Sequence, residues 1–106
     1  RSQAAEGPDV TDPVVIEKEM ALTRAGFYRG VEKALGSDAY ERTPSGVVLA
    51  AEGRRLEITL GSERRRKIAL MEIEIMDLTL AFSGYSDRDR VAALARFDRA
   101  FQRGGG

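Results

Sequence analysis

Ile68–Phe82 reads IALMEIEIMDLTLAF. As a strand it has about 15 residues, against roughly 5–6 for an ordinary strand. Its apolar residues do not keep to one side. Ile68, Leu70, Met76, Leu78, Leu80 and Phe82 share one parity, and Met71, Ile73 and Ile75 share the other. Glu72 and Glu74 fall in the first set, where an uninterrupted strand would bury them. Side chains alternate strictly along a strand, so a bulge, a break or cover on both faces is expected.

The preceding hairpin is the clearest local signal. Val47–Ala51 predicts a strand, Glu52-Gly53 a tight turn, and Arg55–Leu60 a second strand with Leu56, Ile58 and Leu60 on one side. Reading Gly61–Arg65 as the next loop sets Ile58 opposite Ile68, Leu56 opposite Leu70, and Arg54 opposite Glu72 as a cross-strand ion pair. In that register the third strand outruns the second. Its far half, Met76–Phe82, then needs another backbone beside it.

Helices are expected on both sides of this meander. Thr11-Asp12-Pro13 has the chemistry of a helix start. Ile16, Met20, Thr23, Phe27, Val31 and Ala34 recur at spacings of three and four, which predicts a helix of about six turns ending at Gly36. Gly26 and Gly30 within it cost about 1 kcal/mol each in a helix interior, and close approach of another backbone, from the sheet or a partner helix, would compensate. Ser37–Ser45 reads as a polar loop. After the break at Ser83-Gly84-Tyr85, Ser86 caps a second helix whose apolar stripe is Val91, Leu94, Phe97 and Phe101.

The expected fold class is therefore α+β, with order α-β-β-β-α: a three-stranded antiparallel meander packed on two helices in two layers. One domain spans residues 11–103, between a disordered tail at 1–10 and a flexible glycine tail at 104–106. A chain of 106 residues supports a single core. No apolar run approaches the roughly 18 residues of a membrane span, and a soluble, cytoplasmic protein is the default expectation.

Composition excludes more chemistry than it suggests. There is no Cys, no His and no Trp. Disulfides, thiol nucleophiles, Cys/His zinc sites and His general bases are therefore absent. The hydroxyls of Ser62, Ser83, Ser86, Tyr28, Tyr40 and Tyr85 have only carboxylates or Lys to act as bases. No catalytic residue, metal ligand or cofactor site is assigned.

Net charge is zero but unevenly placed. Arg54–Lys67 holds six basic and two acidic residues, and Ile68–Gly84 holds three acidic residues and no base. Arg54, Arg55, Arg64, Arg65, Arg66 and Lys67 form a candidate anion or nucleic-acid patch. No aromatic residue is interleaved for base stacking. Glu72, Glu74 and Asp77 form an acidic set that lacks the companions of a metal or acid–base site.

The α-β-β-β-α order resembles that of the double-stranded RNA-binding domain. In that resemblance Gly84-Tyr85-Ser86-Asp87-Arg88-Asp89-Arg90 takes the place of the basic turn before the second helix, which implies RNA or DNA binding through Arg64–Lys67 and Arg88/Arg90. Here two aspartates half neutralise that turn.

Three function classes follow. The leading expectation is a non-catalytic protein-interaction or regulatory domain that forms a homodimer, with Met71, Ile73, Ile75, Met76, Leu78, Leu80 and Phe82 as candidate interface. Nucleic-acid binding is the alternative, and a small-ligand binder or enzyme using Arg and carboxylates is the second.

Overall fold

The computed structural model describes residues 13–102. The expected tails at 1–10 and 104–106 lie outside the described residues. The elements run β1 (Val14–Met20), α1 (Arg24–Leu35), β2 (Glu41–Thr43), β3 (Gly46–Ala51), β4 (Arg54–Ile68), β5 (Met71–Ser83) and α2 (Asp87–Gln102). The five strands form one antiparallel sheet in the order β1-β5-β4-β3-β2. The fold class is α+β, as expected, with two strands more than the sequence predicts.

The first correction is at the start of the chain. Val14–Met20 is a strand and not the opening turns of a helix. Ile16 and Met20 are four apart, and four is a multiple of the strand period as well as close to a helical turn. The segment VVIEKEM places Val14, Ile16, Lys18 and Met20 on one side and Val15, Glu17 and Glu19 on the other. Ile16 and Met20 pack against the core. Lys18, on the same side, reaches Asp98 of α2 at 3.1 Å.

α1 therefore begins late, with Thr23 as its N-cap. The Thr23 hydroxyl accepts from the Gly26 amide at 3.0 Å. Glu63 of β4 accepts from the next free amide, that of Arg24, at 2.6 Å. Replacing Thr23 by Ala leaves one first-turn amide without its partner, and about 1 kcal/mol of stability should be lost. A urea titration of the single variant measures this.

At the other end of α1, Gly36 sits at φ 71° and closes the helix with its amide bonded to the Glu32 carbonyl. The neighbour that approaches Gly30 is a side chain and not another backbone. A methyl group there would come within 2.8 Å of the Phe101 ring of α2. α2 begins as expected, with the Ser86 hydroxyl accepting from the Asp89 amide at 3.1 Å.

The second correction concerns the hairpin that follows. Gly61–Arg65 is not a loop. β4 runs on to Ile68, and the turn is Ala69-Leu70, with Ala69 at φ 56°. Gly61-Ser62 instead marks a bulge, where the register with β5 shifts between Leu60 and Glu63. Arg54 is consequently not opposite Glu72. Arg54 faces Ala51 and Glu72 faces Lys67. The Val47–Ala51 and Arg55–Leu60 hairpin is as expected, with Glu52 and Gly53 both at positive φ in its turn.

The parity conflict in β5 is resolved by length. Met76, Leu78, Leu80 and Phe82 are at most 2% exposed and form the middle of the core. They meet Leu56, Ile58 and Leu60 of β4, Val47 of β3, Phe27, Val31, Ala34 and Leu35 of α1, and Phe97 and Phe101 of α2. Glu72 and Glu74 keep the inward parity but lie past the end of the core, where β4 and β5 project as a hairpin arm. Five residues of arm at strand rise add ~17 Å, consistent with a longest dimension of 55 Å against 27 and 24 Å.

The third correction follows from the first. The whole of Met76–Phe82 already has its second neighbour within the same chain. β1 pairs with it from Val14↔Phe82 to Met20↔Met76. Met76, Leu78, Leu80 and Phe82 are thus core residues and not available to a second copy. Of the candidate interface, only Met71, Ile73 and Ile75 stay in the projecting arm.

Candidate functional site

Two places combine exposure with specific chemistry: the β4–β5 arm and a cleft at the opposite end of the sheet. In the arm, Glu63–Ile68 pairs with Met71–Met76. Directly opposed residues share a face, so Arg64, Arg66 and Ile68 lie with Ile75, Ile73 and Met71, while Arg65 and Lys67 lie with Glu74 and Glu72. The tip is apolar and exposed. Leu70 is 98% exposed, Met71 64% and Ile68 50%. Ile75, further in, is buried among the arginine stems of its own side.

The basic patch is largely neutralised within the chain. Arg64 pairs with Asp77 at 2.6 Å and with Glu19 of β1. Arg66 pairs with the same Glu19 at 3.0 Å. On the other face Arg65 reaches Glu72 at 3.3 Å and Glu74 at 3.5 Å. Lys67 makes no ion pair among the described residues. Arg54 and Arg55 stand at the far end of β4, away from this cluster. Arg54 pairs with Glu52 and Asp89, each at 3.1 Å, and Arg55 with Glu57 at 3.5 Å. Arg90 is held by Asp87 at 3.1 Å. The acidic set is also divided: Glu72 and Glu74 point to one side of the arm and Asp77 to the other. Among the described residues no group of three or more Asp or Glu is placed to hold a metal ion.

The cleft lies between the end of α1, the first half of α2 and the β3–β4 turn, with a volume of about 430 Å³. Small residues, among them Ala34, Gly36, Ala51 and Ala93, leave the space open. Its mouth carries Arg54, Asp89, Arg96 and Tyr85. Arg54 is spent on its two carboxylates and lies 5.3 Å over the Tyr85 ring. Arg96 packs over Gly36, donates to the Leu35 carbonyl at 3.5 Å and makes no ion pair among the described residues. Arg96 lies outside the apolar stripe of Val91, Leu94, Phe97 and Phe101, and nothing in that spacing indicates that α1 ends beside it.

Burial pushes the Tyr85 phenol above its ordinary value, against the opposing pull of Arg54. The folded state therefore favours the neutral phenol. That contribution is complete below the unfolded value of about 10 and is lost as pH rises through the raised folded value. Tyr85→Phe should remove this alkaline loss. The difference in phenolate absorbance between the intact chain and Tyr85→Phe should show a phenol titrating above 10.

No family model matches the chain, and no curated protein or solved structure matches it significantly. No helix among the described residues is long and apolar enough to cross a membrane. With a strand before α1 and five strands in the sheet, the order shared with the double-stranded RNA-binding domain does not hold.

Proposed function

We propose that this chain is a non-catalytic protein-interaction domain that self-associates through its β4–β5 arm. The observation that carries the reading is the edge of β5 at Met71–Ile75. β1 covers the same edge from Met76 onward and stops there. An exposed strand edge with alternating apolar residues is a template for another strand. The tip at Ile68, Leu70 and Met71 adds exposed apolar surface of the kind that marks interaction sites. The test is sedimentation of the intact chain from 1 to 100 µM. A dimer mass is expected, and a monomer throughout overturns the reading.

Nucleic-acid binding has less support. Most guanidinium groups of the patch already face carboxylates, and a duplex would have to displace them before gaining phosphate contacts. Titration with duplex at two salt concentrations distinguishes it: salt-sensitive binding would favour this alternative.

The ligand-binder reading is favoured by one observation, the unpaired Arg96 beside the half-buried Tyr85 at the cleft mouth. Such a mouth suits the carboxylate of a small apolar acid. Saturable shifts at Gly36 and Ala93 in an NMR titration with phenylacetate, absent with benzyl alcohol, would favour it.

A further inference from the structure

We infer that two copies pair the β5 edges of their arms antiparallel, about a two-fold axis through Ile73. Met71 of each copy then lies opposite Ile75 of the other, Glu72 opposite Glu74, and Ile73 opposite itself. The inference rests on the self-association reading and specifies its register.

The open edge has defined ends. β1 occupies the lane beside β5 and stops at Met20, opposite Met76. The chain then leaves through Ala21–Thr23 to start α1. The Ala69-Leu70 turn closes the other end. Between them, among the described residues, the lane is free beside five residues, Met71–Ile75. A groove runs along it, walled by Leu22, Gly26, Gly30 and Phe101 and flanked by Ile73 and Glu74.

Only one register fills the lane. Centring the pair on Ile73 matches all five residues of each copy. A shift by one residue puts glutamates on the face of isoleucines, because directly opposed residues share a side. The next register that keeps the faces leaves three matched pairs. In one direction it also sets Met76, already joined to Met20, against the incoming strand.

Charge and burial agree with this register. On one face Met71, Ile73 and Ile75 of both copies make a strip of six apolar side chains across the two central strands. Ile75 is already buried in the single chain, where Arg64 and Arg66 reach over β5 to Glu19 of β1, so Met71 and Ile73 supply the area that pairing newly covers. On the other face the glutamates of both copies lie between the Arg65 and Lys67 pairs, four carboxylates with four cations. The repulsion of Glu72 against Glu74 is reduced because Arg65 already holds both in its own arm, at 3.3 and 3.5 Å. The outer edge of β4 is a poor alternative. Two such edges would bring Arg64–Lys67 of each copy together, eight cations in adjacent strands.

The absence of cysteine makes the register directly testable. Opposed residues of antiparallel strands have Cα atoms roughly 4.5–5.5 Å apart, inside the disulfide range of about 4.4–6.8 Å. Ile73→Cys should therefore oxidise to a covalent dimer. Met71→Cys alone should cross-link at least tenfold more slowly, because the two copies of residue 71 are about 14 Å apart in this register. A mixture of Glu72→Cys and Glu74→Cys should give the mixed dimer in preference to either homodimer. This second test uses exposed positions and does not depend on Ile73→Cys folding. A dimer by sedimentation with no Ile73 or mixed 72/74 cross-link overturns the register and leaves self-association standing. A monomer to 100 µM overturns both.

Discussion

Phe27→Ala should lower the unfolding free energy by about 3–5 kcal/mol, as expected for removing a fully buried aromatic. Phe27 is 0% exposed. Its ring stacks on Phe101 at 5.7 Å and meets the Tyr28 ring edge-on at 5.2 Å. Phe101 in turn meets Phe97 at 5.0 Å and closes over Gly30. One ring thus joins the two helices to each other where α1 has a glycine and cannot fill space itself. The Phe101 and Tyr28 rings border the cavity left by truncation, and Phe101 already lies against Gly30, so collapse is limited. A domain of this size has roughly 5–15 kcal/mol to lose, and urea unfolding followed by circular dichroism should show a large fall in midpoint. Phe27→Leu, which keeps most of the volume, should recover more than half of the loss. A midpoint for Phe27→Ala within error of the parent would show that the helix pair is not held by this cluster.

How much of this was readable beforehand depends on the kind of signal. The β3–β4 turn is encoded locally: Glu52-Gly53 supplies positive φ between two alternating segments. The start of α2 is equally local, with Ser86 three residues before Asp89. β1 is ambiguous in the sequence because Ile16 and Met20, four apart, satisfy the strand and helix periods at once, and only the presence of the β5 edge decides between them. The arm was misread because its turn, Ala69-Leu70, has no turn chemistry, while Gly61-Ser62 has it and forms a bulge. The parity break at Glu72 and Glu74 does lie at an end of the core, but the register expected from the hairpin puts the core on the Ile68–Leu70 side, whereas it lies on the Met76–Phe82 side. The break could not say that β4 would follow β5 outward and supply Arg65 to both. Alternation alone puts Met71, Ile73 and Ile75 on one face, but the status of Met76–Phe82 depends on a strand some sixty residues earlier in the chain.

Removing β1 should leave Met76–Phe82 without a neighbour in its own chain and open to a second copy. Truncation before Thr23 deletes the seven-residue partner of Met76–Phe82. Ladder hydrogen bonds contribute about 0.5–1.5 kcal/mol each, so a seven-residue antiparallel pair with about seven such bonds represents about 4–10 kcal/mol. The contacts of Ile16 and Met20 with the core and the Lys18–Asp98 pair are lost as well. That loss is comparable to the whole stability of such a domain, and two outcomes are compatible with it. The truncated chain unfolds, or it survives by pairing the exposed edge of β5 with another copy, since seven unpaired residues alternating apolar and polar are a strong template for association. Both outcomes are visible by circular dichroism combined with light scattering. In the second, the folded signal should rise with protein concentration, because every molecule that folds needs a strand from another. A truncated chain that is folded, monomeric and concentration-independent would mean that β1 contributes little, and that β5 tolerates an open edge along its whole length. In the intact chain β1 stops at Met20, so that the same edge is closed over the core and open only along the arm, where the second copy is expected to bind.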